Sequence, residues 1–162
     1  MDSVKVRPVN SGDRDWIIET SVRNWGAEFI VVHGDIYYPA ELSGLIAIHG
    51  GSRSGLLTYT IKDNEGEIIT LSSNHPNKGI GSSLIQSLKT ELSFSSIERI
   101  KVVTTNDNLN ALRFYQKRGF VLSALFPNAV EKTRMIKSIP ETGDNGIPIR
   151  DEIELVYWLD SK

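Results

Sequence analysis

The sequence predicts an α/β (α+β) domain: a mixed, mostly antiparallel twisted sheet flanked by helices. Three observations carry that expectation. Three β-rich runs, Leu45–His49, Gly55–Lys62 and Glu67–Ser72, are separated by Gly50-Gly51-Ser52 and Asp63-Asn64-Glu65-Gly66, hairpin chemistry that gives an antiparallel meander. The last run leads through a polar, glycine-bearing turn into an amphipathic helix with Leu84, Ile85, Leu88 and Leu92 on one face. A further strand, Ile100–Thr104, follows this helix across the polar connection Phe94–Glu98, and a helical crossover makes it parallel to its predecessor.

The remaining elements fit around these. Val4–Val9 reads as a first strand, with Pro8 suited to an edge or an end. Asp13 can cap the next helix, in which Ile17, Ile18, Ser21 and Trp25 share a face before Gly26 stops it. Phe29–Val32 is a short strand, and His33–Gly44 a loop or small hairpin bearing Asp35, Tyr37, Tyr38, Pro39 and Glu41. That loop is either a plain solvated connection or a substrate-facing lip of aromatics and carboxylates suited to a cationic amine. Farther on, Thr105-Asn106-Asp107-Asn108 is a capping cluster. It opens a helix with Ala111, Phe114, Tyr115 and Arg118 spaced at three and four, and Gly119 stops that helix before a strand at Val121–Phe126. Asn128–Ser138 reads as a helix and Ile139–Arg150 as a turn-rich loop. Glu152–Leu159 closes the sheet, with Ile153, Leu155, Tyr157 and Leu159 on one side.

Composition narrows the function. The 162 residues suit one domain spanning 1–162 with a full core. A net charge of −2 with scattered Lys and Arg gives no field for nucleic acid or anionic membrane. No apolar run reaches transmembrane length and the start lacks a secretory core, so the expected location is cytoplasmic. With no cysteine there is no disulfide, no zinc-thiolate site and no thiol to carry an acyl group, and no metal is expected.

The chemistry concentrates between Glu67 and Leu92. Where a strand runs through a glycine loop into a helix, the first helical turn has N–H groups without intrahelical partners, and the peptide dipoles add positive charge at that end. An anion belongs there, and Gly79 and Gly81, lacking a Cβ, would let a phosphate reach the backbone. A P-loop would need Lys after the last glycine, and the dinucleotide fingerprint a third glycine where Leu84 stands. Both are excluded. The loop then resembles that of the GNAT superfamily of N-acetyltransferases, (Gln or Arg)-x-x-Gly-x-(Gly or Ala), matched by Gly79 and Gly81, with Pro76 where Gln or Arg is usual. A second motif of the same superfamily, Asn-x-x-Ala-x-x-Phe/Leu-Tyr-x-x-x-Gly-Phe, is met by Asn108, Ala111, Phe114, Tyr115, Gly119 and Phe120.

The resemblance implies a GNAT acyl-CoA N-acyltransferase fold and transfer of an acetyl group from acetyl-CoA to a primary amine by direct attack in a ternary complex. It implies a splayed strand offering backbone groups of Leu71, Ser72 and Ser73 to pantetheine and the thioester. The loop amides of Lys78, Gly79, Ile80, Gly81, Ser82 and Ser83 would hold the pyrophosphate, Asn108 would bond pantetheine, and the Tyr115 hydroxyl would reach the sulfur as the acid. Independently of the family, a phenol is protonated at neutral pH and can donate to a leaving thiolate. Glu67 is the base expected: it sits about 13 Å along the strand from Leu71, on the face read as shared by Glu67, Ile69 and Leu71, and burial would raise its pKa toward a working range. His33, Glu41 and His75 stand behind it. The alternative is a domain of the same fold that binds acyl-CoA without turning it over. The acceptor amine, small molecule or peptide, and the oligomeric state, a homodimer included, stay open at this stage.

Overall fold

The structure is a computed structural model that describes residues 3–159; residues 1, 2 and 160–162, the ends of the expected domain, lie outside the described residues. In chain order the elements are β1 (Lys5–Pro8), α1 (Arg14–Trp25), β2 (Ile30–Val32), β3 (Asp35–Tyr37), β4 (Ser43–His49), β5 (Ser52–Lys62) and β6 (Glu65–Ser73). They continue with α2 (Ile80–Ser93), β7 (Arg99–Thr105), α3 (Leu109–Lys117), β8 (Val121–Phe126), α4 (Val130–Arg134) and β9 (Glu152–Trp158). Seven strands form one sheet in the order β1-β4-β5-β6-β7-β9-β8, and β2 and β3 form a separate hairpin. Every pairing is antiparallel except β6 with β7, so the sheet is mixed as expected.

Each face carries its own core. On one, α2 sets Leu84, Ile85, Leu88 and Leu92 against Leu57, Ile68, Ile100 and Leu155, joined by Tyr115 of α3 and by Phe120 just beyond it. Burying each such aliphatic side chain stabilises the fold by about 2 kcal/mol. On the other face Ile17 of α1 packs on Ile46 and Leu56. Gly55 makes the α2 packing tight, because a Cβ there would lie 2.4 Å from Cγ2 of Ile80.

Three elements differ from the sequence expectation. Asp13 does not act as a side-chain cap for α1; Asn10 caps the short turn before it, accepting from the Gly12 N–H. Asp13 is instead fully buried and held by Arg7 and Arg53, each at 2.8 Å, because two guanidiniums and the Asn10 N–H together offset its desolvation. The helix expected over 128–138 shrinks to Val130–Arg134. Asn128 turns the chain at φ +59°, and its N–H is bonded to the Asp151 carboxylate rather than to a helical partner.

The third difference lies in β6. Thr58 pairs with Thr70 but Tyr59 with Ile68, so Ile69 is an extra residue, a β-bulge. The bulge resets the alternation. Glu67, opposite Thr60, therefore shares a face with Thr70 and Ser72, while Leu71 and Ser73 point with Ile68 to the α2 side. The expected common face for Glu67, Ile69 and Leu71 is overturned, because a run of alternating residues carries no mark of an inserted one.

Candidate functional site

The bulge stands where the sheet opens. β6 and β7 are paired from Glu65 with Arg99 to Ile68 with Val102; beyond that point β6 stays on β5 and β7 stays on β9. The two strands fork. This is the splay that the sequence reading had only by resemblance.

On the α2 side of the fork lies a cleft of about 400 Å³. Its walls bring together Leu71, Ser72 and Ser73 from β6, Gly79, Ile80, Gly81 and Ser82 from the start of α2, and Tyr115 from α3. Gly79 caps α2 at φ +74°, and a Cβ there would meet nothing within 4 Å, so the backbone at the helix start is open. Ser83 already gives its N–H to the Gly79 carbonyl, which leaves the amides of Ile80, Gly81 and Ser82 as the outward donors of the first turn. Gly81 answers to a different demand: its Cβ would stand 3.0 Å from the Phe114 ring, so its smallness seats α3 on α2. The Ser72 Oγ is buried without a hydrogen-bond partner among the described residues. That oxygen lies on the Glu67 face of β6, the side away from α2.

Tyr115 sits at the floor, 6% exposed, with its ring edge-on to Phe114 and Phe120 at centroid distances of 5.2 and 5.3 Å. Burial pushes its pKa well above the ordinary phenol value, so the hydroxyl keeps its proton.

Three expected cofactor residues are placed elsewhere. Lys78 is exposed and outside the cleft lining, and Ser83 faces a separate groove beside β1. Asn108 is the N-cap of α3, its Oδ1 accepting from the Ala111 N–H at 3.1 Å. The cleft wall also contains His75, Phe114 and Arg118, which the sequence reading had not assigned to it.

Glu67 lies on the opposite face, one pair below the fork, in register with Lys101. Burial raises its pKa, while Lys101 and His33 pull it down and Glu65 and Glu154 push it up. Lys101 is held at 3.1 Å by Glu65 and at 4.0 Å by Glu154. Beside this group the β2–β3 hairpin carries His33, whose backbone takes φ +52° and whose Nδ1 lies 2.7 Å from Oε1 of the buried Glu152. The His33 ring stands edge-on to Phe126 at 4.5 Å. Glu152 was read from sequence only as a strand residue, since its partner is 119 positions away.

A sheet forked above an open helix start, with a cleft on one side and a carboxylate on the other, fits a protein that seats a ligand with an anionic end. The acetyltransferase (GNAT) family model matches residues 14–120. Two uncharacterized proteins of Bacillus subtilis (strain 168) are similar. YdhI is 43% identical over 90% of this chain and 92% of its own length, and YxbD 40% identical over 96% and 99%. A solved GNAT family acetyltransferase from Elizabethkingia anophelis, with acetyl-CoA bound, is 18% identical at a TM-score of 0.72, covering 98% of this chain and 100% of that one. The chain belongs to the acetyltransferase (GNAT) family.

Proposed function

We propose that this protein is an N-acetyltransferase that moves the acetyl group of acetyl-CoA to a primary amine by direct attack in a ternary complex. The observation that carries the reading is the fork between β6 and β7, which has Tyr115 on one face and Glu67 on the other. A thioester entering along the α2 side and an amine entering along the Glu67 side would meet at the opening, with no covalent enzyme intermediate. The family and the neighbour with acetyl-CoA bound support the cofactor.

In this reading the amides of Ile80, Gly81 and Ser82 hold the diphosphate, and the freed edges of Leu71, Ser72 and Ser73 bond pantetheine and polarise the carbonyl. Asn108, outside the cleft lining and with its Oδ1 committed to the Ala111 N–H, would reach pantetheine through its amide nitrogen. Glu67, directly or through a water, takes a proton from the amine as its nitrogen bonds the carbonyl carbon. As the carbon–sulfur bond breaks, Tyr115 gives its proton to the departing thiolate. Solvent returns both groups to their starting states, leaving an acetamide and free coenzyme A. Lys78 and Ser83 keep only a peripheral part. The reading takes residues 1–162 as one domain, in the cytoplasm, with a small-molecule or peptide amine as acceptor.

The test is a free-thiol release assay over an amine panel beside calorimetry with acetyl-CoA. Amine-dependent thiol release upholds the reading. Tight binding with no release from any amine overturns it in favour of the acyl-CoA sensor, and no binding overturns both.

A further inference from the structure

Arg118 closes α3 and reaches across to the first turn of α2. Its Nε and Nη2 donate to the Ser82 Oγ at 2.9 and 2.6 Å, and its Nη1 to the Phe114 carbonyl at 2.9 Å. The guanidinium carbon lies 3.7 Å above the centre of the Phe114 ring, which itself rests against Gly81. Arg118 thereby lines the same cleft as Gly79, Gly81 and Ser82.

This arrangement is electrostatically one-sided. The positive end of the α2 dipole, three outward amides and a guanidinium converge on one spot. Lys89, farther along α2, donates from Nζ to the Arg118 carbonyl at 2.7 Å and so fixes the end of α3. Among the described residues no carboxylate pairs with Arg118, although Arg7, Arg53, Arg99, Arg134 and Arg150 each have one. A cation at a helix N-terminus costs stability unless an anion joins it. The side chain is also pre-set: its plane is fixed by the ring beneath it, and of five N–H groups three are used, leaving two donors in the fork geometry that suits a phosphate. Ser82 accepts from Arg118, so its own hydroxyl proton remains available to the same anion.

We propose that Arg118 is a phosphate ligand, binding the diphosphate of the coenzyme together with the first-turn amides of α2. The assignment rests on the acetyl-CoA reading above. A pure staple between α3 and α2 would use the same contacts with the protein, so the test must isolate the phosphate. Dissociation constants are measured for coenzyme A, 3′-dephospho-coenzyme A and pantetheine, the last by ligand-observed NMR at millimolar concentration, on wild type, Arg118→Gln and Arg118→Lys.

The expected result is a loss of about twentyfold for Arg118→Gln on coenzyme A and an equal loss on the dephospho form, with pantetheine unaffected. Arg118→Lys, which keeps the charge but not the fork, loses about fivefold on the same two ligands. An equal loss on pantetheine overturns the proposal in favour of the staple, and a loss confined to the form with the 3′-phosphate overturns the diphosphate assignment. Wild type that binds coenzyme A while Arg118→Gln binds it equally overturns this assignment alone. Wild type that binds none of the three overturns the acetyl-CoA reading, and this assignment with it.

Discussion

The α2 face and the Glu67 face of the forked sheet are assembled from different materials. On the α2 face the cleft is bounded by short stretches of chain: the end of β6, the turn after it, the first turn of α2 and one flank of α3. Much of its polarity is backbone, open at Gly79 and along the freed edge of β6. On the Glu67 face the polar groups are side chains, drawn from β6, β7, β9 and the β2–β3 hairpin, and tied to one another by Lys101 with Glu65 and Glu154 and by His33 with Glu152. Backbone amides do not titrate and change little with sequence. The carboxylate face can be retuned one residue at a time.

Replacing Glu67 is the largest way to break that contrast. Glu67→Gln is expected to lower kcat about a thousandfold while leaving the dissociation constant of acetyl-CoA unchanged. Its raised pKa fixes the sign of the pH dependence. A base works deprotonated, so wild-type kcat/KM falls as pH drops through a value above the ordinary 4.5, and Glu67→Gln lacks that limb. Lys101→Met removes a charge that pulls the pKa down and shifts the limb to higher pH. Stability runs the other way: a carboxyl with a raised folded-state pKa contributes below its unfolded value and loses that contribution as pH rises. Glu67→Gln should therefore melt higher than wild type at pH 8. A variant with full activity and an unchanged acid limb would remove Glu67 from the chemistry.

What could be read from the chain follows the same division. Gly79, Gly81 and Tyr115 belong to motifs with fixed local spacing, and the strand order around them follows from hairpin turns and a crossover. The bulge at Ile69 leaves no trace in the pattern, so the face of Glu67 was misassigned relative to Leu71. Arg118 looked like one more position of an amphipathic helix, because its partner Ser82 is 36 residues away. Asp13 was read as a cap because a carboxylate before a helix usually is one; Arg7 and Arg53, brought in by β1 and β5, decide otherwise.

Tyr115→Phe is the next largest test, and it falls on the cofactor face. With the hydroxyl gone and the ring packing kept, kcat should fall about a hundredfold with little change in the melting temperature. Loss of fold instead of rate would make Tyr115 a core aromatic only. His33→Ala tests the Glu67 face. It removes the imidazole 2.7 Å from Oε1 of Glu152, which is 5% exposed, and should cost about 2 kcal/mol in denaturant unfolding. The double variant with Glu152→Gln should recover most of that, since a neutral amide is less costly to bury without a partner than a carboxyl group. Coenzyme A binding should stay at the wild-type level in both; a weakened cofactor in His33→Ala would mean that the two faces are not independent.

The smallest effect separates two residues that a motif treats as equals. Gly79→Ala meets no neighbour but must hold φ +74°, a strain of about 1 kcal/mol, and no change in a side chain elsewhere can relieve it. Gly81→Ala sits in ordinary helical backbone and presses its methyl on the Phe114 ring from 3.0 Å. It should cost a similar amount, but the double variant with Phe114→Leu should win it back. A double-mutant cycle read by melting temperature and coenzyme A affinity distinguishes the two. Coupling to Phe114 is expected for Gly81 and none for Gly79. Coupling at Gly79 would mean that α3, not backbone conformation, holds the helix start open, and the α2 face would then depend on long-range packing as the Glu67 face does.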